Sequence, residues 1–381
     1  MSLMPTHTDE SAALGTLRQE VREFLMTLPA TLRTELGGVD TWLSGWNIDF
    51  TRALAERGWI GMTIPREYGG HARTHLERFV VTEELLAAGA PVAAHWIADR
   101  QVAPTLLRFG TEEVRREFLP EIAAGRCYFG IGMSEPDSGS DLASVRTKAH
   151  RVDGGWTVSG TKLWTSGGHL AHAFIALVRT APLDASDRHA GLSQLLVRLD
   201  DPGVDVRPVI SAGGHHHFNE VVLDDVFVPD HRLVGEEGDG WMQVTSELSF
   251  ERSGPERFLS TMQLFEQAMA DPAVAENVAD VDSGRQLARL AGLHEMSRAV
   301  AGSLQRGEEA DVSAALVKVL GTTFEGDLAE WIDQSAGSAS GVESRTKSLA
   351  TRGVIQRPGF TLRGGTNEIL RGVIARGLGM R

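Results

Sequence analysis

Apolar residues recur at helical spacing from the start of the chain. Leu14, Leu17, Val21, Phe24 and Leu28 share one face, and Ser11 stands where an N-cap belongs. Residues 54–58 read as a helix end closed by glycine, and residues 76–88 as a second apolar-rich helix. Gly110 and Thr111, followed by Glu112 and Glu113, mark one helix stopping and another starting with acids in its first turn. Near Tyr128 the period shortens. The runs AFIALVRT, LSQLLVRL, VDVRPVI and NEVVLDDVFV read as short strands, and Asp153-Gly154-Gly155 lies between alternating segments as a hairpin signal. A compact β unit of roughly a hundred residues is predicted. After Gly238 the helical period returns over residues 241–269, 285–307, 313–334 and 367–377, with a flexible connection over 336–341. This order predicts a helical domain over residues 1–127, a β domain over 128–236 and a helical domain over 237–381.

At 381 residues the chain is longer than one typical domain, so two or three packed units are expected. The net charge of −14 argues against a nucleic-acid partner, which would need clustered Lys and Arg. It does not exclude an anionic cofactor held by local donors. The single cysteine, Cys127, cannot form an intrachain disulfide and fits a reducing compartment. The N-terminus lacks the basic start and apolar stretch of a secretory signal, and no apolar run approaches the length of a membrane span. A cytoplasmic protein without a membrane span is therefore expected. His215, His216 and His217 are consecutive, so their side chains point in different directions and no metal site is expected there.

Two segments carry candidate chemistry. Residues 131–141 read IGMSEPDSGSD, small and hydroxylic residues after an apolar run, able to present N–H groups and hydroxyls to an anionic or heteroaromatic ligand. Residues 160–168 read GTKLWTSGG, which sets the indole of Trp164 two residues before the hydroxyl of Ser166 and suits a flat cofactor ring. Together they resemble the flavin-binding middle region of the acyl-CoA dehydrogenase family. GWIGMTIPREYGG (58–70), FNEVVLDDVFVP (218–229) and GGTNEILRGVIAR (364–376) resemble the same family in the same order, so the likeness runs from about Ser11 to the end.

The resemblance implies an α+β multidomain fold: a helical N-terminal domain, a central β-barrel and a C-terminal four-helix bundle. It implies FAD as cofactor. Ile131, Met133 and Ser134 would edge the isoalloxazine ring, with Gly139 and Ser140 near the diphosphate and Ser140 also near the substrate. Trp164 and Thr165 would lie beside the ring, and Ser166 would donate toward N5. The family often has threonine where Ser134 and Ser166 stand, and serine keeps the hydroxyl. Thr366 can cap the last helix, whose N-terminus favours a diphosphate, and the resemblance puts Thr366, Asn367 and Glu368 at the cofactor. The family's cofactor spans a subunit contact, which implies a homo-oligomer, a tetramer or dimer. Gln334 stands where an amide would reach a neighbour's cofactor, but the glycine pair expected after it appears only as Ser335-Ala336-Gly337. The family's arginine/Phe-Gly element is not recognisable.

The family oxidises the Cα–Cβ bond of an acyl-CoA to the trans-2-enoyl-CoA. A carboxylate takes the α-proton, the β-hydrogen leaves as hydride to flavin N5, and the electrons pass to an electron-transfer flavoprotein. Many members carry the base where this chain has Gly364, which has no side chain. A minority carry it in a Leu-x-x-Glu-Arg sequence on a bundle helix, matched here by residues 248–252, so Glu251 is the candidate base. Asp225, Glu247 and Glu368 are the other carboxylates in view. Arg252 would lie near substrate or base and keep Glu251 ionised. Gly364, beside Gly365, would donate its N–H to the thioester carbonyl. Two other readings keep the fold: a flavin oxidase or monooxygenase, and a non-catalytic subunit of a hetero-oligomer. Glu251 weighs against a monooxygenase, which needs no α-proton base, and Glu251 with the flavin loop weighs against a non-catalytic subunit. The GGTNEI ending resembles bacterial members acting on bulky, steroid-derived or degradative acyl-CoAs.

Overall fold

The computed structural model describes residues 6–275, 280–338 and 344–380, without the side chains of residues 247–251, 273, 280 and 338. Its longer helices are α1 (Ala12–Thr27), α2 (Ile48–Glu56), α3 (His75–Ala87), α4 (Glu112–Ala123), α5 (Gly240–Glu251), α6 (Met262–Ala270), α7 (Asp280–Gln305), α8 (Asp311–Ser338), α9 (Arg345–Leu362) and α10 (Asn367–Gly377). Its strands are β1 (Phe129–Gly132), β2 (Lys148–Val152), β3 (Gly155–Ser166), β4 (Ala173–Arg179), β5 (Leu192–Arg198), β6 (Val204–Ile210), β7 (His216–Pro229) and β8 (Leu233–Val234). The helix–sheet–helix order expected from the sequence is the order observed.

Helix starts follow their capping residues. The Ser11 hydroxyl accepts from the Leu14 N–H at 3.3 Å, and Leu14, Leu17, Val21 and Phe24 are buried. Thr74 and Glu77 form a capping box that starts α3. Thr111 accepts from the Val114 N–H at 3.3 Å and starts α4, with Glu112 and Glu113 in its first turn. Asp153-Gly154 makes the two-residue turn between β2 and β3, with Gly154 at φ +74°.

Three expectations are corrected. The helix predicted over 241–269 is two helices, α5 and α6, with residues 252–261 between them. Pro255 has no N–H to donate, and Gly254 before it is extended at φ −77°, ψ 167°, as sterics before proline require. Residues 336–338 continue α8 rather than forming a flexible connection, and 339–341 lie outside the described residues. Helix α9 was not expected at all. Its buried side includes Thr346, Leu349, Ala350, Gly353 and Phe360, mostly small residues that leave a faint hydrophobic period.

The chain's contacts divide it into two compact units. The first comprises Met1–Trp46, Arg73–Val92 and Ser249–Arg381, and the second Asn47–Ala72 and Ala93–Leu248. In the first, α8 packs against α7, α9 and α10, and α6 packs against α8 and α9. Gly353 of α9 leaves only 3.2 Å for a Cβ against Ala329 of α8, so the two backbones lie close. In the second, an eight-stranded sheet runs β6-β7-β3-β2-β4-β5-β8, with β1 parallel to β4. Both faces of β4 are buried. Phe174, Ala176 and Val178 join Trp156, Val221 and Val228, whereas Ala173 and Ile175 pack with Phe118 and Leu119 of α4.

The irregular segment 252–261 is wholly buried. Helix α8 admits it through Gly321, where a Cβ would stand 2.4 Å from the Arg257 carbonyl oxygen. Gly321→Ala should therefore lower the unfolding free energy by about 2 kcal/mol, because the clash outweighs the gain in helix propensity. An unchanged or raised denaturation midpoint would contradict this close approach.

Candidate active site

In the second unit, β1 delivers the chain to the loop 133–141. Only glycine fits at its last position, since a Cβ on Gly132 would stand 2.4 Å from the Phe174 ring. The loop is pinned from below. Glu135 accepts from the Arg146 N–H at 2.7 Å, the Thr147 N–H at 2.9 Å and the Lys162 ammonium at 2.8 Å. Lys162 is fully buried and also donates to the Met133 carbonyl at 3.3 Å. The Leu163 N–H donates to the Ser134 carbonyl at 2.9 Å. Burial pushes the Lys162 ammonium down to about 8, with Glu135 resisting. Burial works against the Glu135 carboxylate too, but the charge and hydrogen bond of Lys162 hold it below its ordinary value.

The expected cofactor residues of this unit fall around that pinned loop. Ile131 and Ser134 are half-buried, while Met133 packs its side chain with Val145, Leu177 and Leu192. Gly139 and Ser140 are exposed, and nothing stands within 4 Å of a Cβ built on Gly139. The pairing of β3 with β7 slips between Lys162 and Thr165. Within that slip Trp164 adopts φ +66°, a conformation that is uncommon and strained for a bulky residue. Its indole is 52% exposed, with the Phe218 ring edge-on at 5.5 Å. Thr165 is turned fully inward, and its buried hydroxyl has no hydrogen-bond partner. Ser166 is half-buried opposite Phe218. An exposed aromatic plate beside serine hydroxyls and an open glycine fits a flat heteroaromatic group with a polar rim. His169 and His216 stack at 3.8 Å, and no cluster of metal ligands occurs among the described residues.

In the first unit, Gly364 and Gly365 join α9 to α10 at φ +66° and +84°. Arg252 is buried and donates from Nε to the Gly364 carbonyl at 3.1 Å. A Cβ on Gly365 would come within 3.2 Å of its guanidinium. Arg363 enters the loop paired with Asp40 at 2.8 Å and lies over the Trp42 ring at 4.5 Å. Burial raises the Asp40 carboxyl, with Arg363 opposing. Thr366 caps α10, accepting from the Ile369 N–H at 3.3 Å. Asn367 is buried and its side-chain oxygen accepts from Lys318 at 2.8 Å, so its amide serves the bundle interior. Glu368 is exposed, its carboxyl held low by its own backbone N–H and the Thr366 hydroxyl.

Glu251 ends α5, and its side chain and that of Glu247 lie outside the described residues. Asp225 is exposed in the second unit and accepts from Ser159 at 2.6 Å. Gln334 is exposed on α8. The segment after Glu251 is anchored by Glu325 of α8, which accepts from the Ser260 N–H at 2.7 Å. Its other carboxyl oxygen is buried without a partner, and burial pushes the group up to about 8.

Sequence reasoning missed Lys162 with Glu135, Lys318, and Asp40 with Arg363. Lys318 left one signal: it interrupts the apolar run Ala314, Ala315, Leu316, Val317, Val319, Leu320. Lys162→Met should destabilise the protein by about 3 kcal/mol, and adding Glu135→Gln should cost less than the sum of the two single changes, because each alone strands a buried partner. Additive losses in chemical denaturation would refute the coupling. Glu325 ionises near 4.5 in the unfolded chain and near 8 when folded, so its stabilising contribution is complete below about 4.5 and is lost as pH rises toward 8. Glu325→Gln should flatten that decline, by an amount on the order of a few kcal/mol across the window. A wild-type slope retained in the variant would count against Glu325 as its source.

Comparison with known proteins gives a consistent answer. A family model described as the acyl-CoA dehydrogenase N-terminal domain matches residues 11–126, and one for the middle domain matches residues 130–226. Acyl-CoA dehydrogenase FadE26 of Mycobacterium tuberculosis is 33% identical over 95% of this chain and 96% of its own length. FadE29 of the same organism is 33% identical over 85% of this chain and 86% of its own. The solved structure titled Tcur3481-Tcur3483 steroid ACAD superposes with a TM-score of 0.83 at 29% identity over the whole of both chains. The ChsE4-ChsE5 complex from Mycobacterium tuberculosis does so with a TM-score of 0.81 at 29% identity over 99% of this chain and 100% of its own. A residue pattern legible along nearly the whole chain, the observed helix–sheet–helix order and these likenesses agree: the chain belongs to the acyl-CoA dehydrogenase family, whose cofactor is FAD.

Proposed function

We propose that this FAD-dependent acyl-CoA dehydrogenase removes one hydrogen each from Cα and Cβ of a bulky, ring-bearing acyl-CoA, giving the trans-2-enoyl-CoA, with Glu251 as the α-proton base. The observation that carries the reading is the hydrogen bond from Arg252 to the Gly364 carbonyl. It ties the residue next to Glu251 to the loop that lacks a carboxylate, so the base and the carbonyl-binding loop are held by one contact. The loop's N–H groups polarise the thioester carbonyl and make the α-proton more acidic. Arg252 keeps the neighbouring carboxylate ionised. Ser134, Trp164, Ser166 and the open Gly139–Ser140 backbone hold the flavin, which when bound accepts the β-hydrogen as hydride. The electrons then pass to an electron-transfer flavoprotein.

The ring-bearing substrate is favoured by the GGTNEI ending and by the likeness to a structure titled a steroid ACAD. No described helix is long and apolar enough to cross a membrane, and the reading places the enzyme in the cytoplasm. Assembly as a homotetramer or homodimer is part of the reading. The two structural neighbours are titled as pairs of differently named proteins, which favours a second reading with a related partner chain. The native mass of the chain purified alone separates the two.

The decisive test is anaerobic bleaching of the purified flavoprotein by a panel of acyl-CoAs. A steroid-side-chain acyl-CoA should bleach it faster than straight-chain acyl-CoAs. Glu251→Gln should retain FAD and lose dehydrogenation by about a thousandfold. Full turnover in that variant would remove Glu251 from the mechanism.

A further inference from the structure

Lys318 lies in an apolar stretch of α8, and its side chain is fully buried. Burying an ammonium is unfavourable unless strong acceptors replace its water. Here the acceptors are the Thr361 carbonyl at 2.9 Å, the Gly365 carbonyl at 2.8 Å and the Asn367 side-chain oxygen at 2.8 Å. Thr322 braces the same Asn367 oxygen at 3.2 Å. The intervening Gly364 carbonyl accepts from Arg252. Two successive carbonyls of the loop are therefore fixed by buried cations.

A trans peptide is planar, with its C=O and its N–H on opposite sides. Fixing the Gly364 carbonyl on Arg252 turns the Gly365 N–H away from Arg252. Fixing the Gly365 carbonyl on Lys318 turns the Thr366 N–H away from the ammonium. Both glycines hold positive φ, a conformation glycine adopts without steric cost. Among the described residues, none of the Gly364, Gly365 and Thr366 N–H groups donates a hydrogen bond.

We propose that Lys318 is a positioning residue for thioester activation: by holding the Thr361 and Gly365 carbonyls and Asn367 inside the bundle, it fixes the course of the Gly364–Gly365 loop and the direction of the Thr366 N–H, so that the loop's N–H groups receive the acyl carbonyl oxygen. The proposal rests on the acyl-CoA reading above and adds to it the group that shapes the carbonyl-binding loop. Lys318 does not touch the substrate. Its influence is on where the donors point, so its loss should lower kcat more than it raises KM.

The test uses FAD-loaded full-length enzyme and a trans-2-enoyl-CoA product labelled with ¹³C at the thioester carbonyl. Infrared difference spectra read how strongly the bound carbonyl is polarised. The parent enzyme should move the band to lower wavenumber than in free enoyl-CoA. Lys318→Met should return it at least halfway to the free position and reduce kcat by about tenfold or more, with FAD still bound. A folded, FAD-loaded Lys318→Met enzyme with the parental band position overturns the proposal, since a merely structural lysine would alter stability and not carbonyl polarisation. If Lys318→Met does not fold, Lys318→Gln, whose shorter uncharged amide reaches fewer of the three acceptors, is judged by the same criteria. A parent enzyme that binds no enoyl-CoA fails the acyl-CoA reading itself, which separates that failure from a failure of Lys318.

Discussion

Each compact unit buries one lysine completely, and each burial shapes a loop of candidate site residues within its own unit. Lys162 donates to the Met133 carbonyl and Glu135; Lys318 donates to the Thr361 and Gly365 carbonyls and Asn367. Removing an ammonium from water is opposed by an effective penalty on the order of several kcal/mol. That penalty is offset only while the acceptors stay in place. Neither loop can shift far without stranding a cation, so segments with few regular backbone bonds of their own are made rigid from beneath. The solutions differ. Lys162 is matched by a carboxylate that also takes two backbone N–H groups, whereas the contacts seen for Lys318 include two main-chain carbonyls.

The glycines at 364 and 365 and the placement of the candidate base belong to one arrangement. The Arg252 guanidinium lies where a Cβ on Gly365 would crowd it, and both glycines take left-handed conformations that most residues avoid. A side chain at Gly365 would disturb the contact that holds Arg252. With Glu251 beside Arg252 instead, the loop keeps only main-chain groups, and those are the groups a carbonyl oxygen needs. Pro255 then ends helical continuation after the Glu251–Arg252 pair, and the buried segment that follows is held by Glu325, by Gly321 and by the Asp40 N–H donating to the Ser260 carbonyl at 2.9 Å.

The sequence was most legible where local chemistry decides structure. Ser11, Thr111 and Thr366 cap the helices they were expected to cap, and Asp153-Gly154 turns the expected hairpin. These choices involve residues a few positions apart, so spacing reveals them. Helix α9 escaped because its inner side uses Ala350, Gly353 and Thr346, which register weakly as apolar although they pack closely. The break at Pro255 was hidden by a hydrophobic period that continues across it. The buried lysines were illegible for another reason: whether a lysine is solvated or enclosed depends on residues 27 to 49 positions away. Asn367 shows the same limit, because its place in the motif suggested a cofactor contact while its side chain faces Lys318.

Trp164 and Thr165, in the candidate flavin site, depart from ordinary folding preference. In a regular strand, alternation would let a tryptophan face the core and a threonine face outward. The slip between β3 and β7 reverses this, exposing the indole on a left-handed backbone and burying a hydroxyl without a partner. Both outcomes oppose stability. Their adjacency concentrates the conflict at the position expected to face the flavin, where a bound aromatic ring would cover the indole. Lys162, two residues earlier on the same strand, is locked to Glu135 and Met133. Rigidity below and strain above are thus set by neighbouring residues of β3.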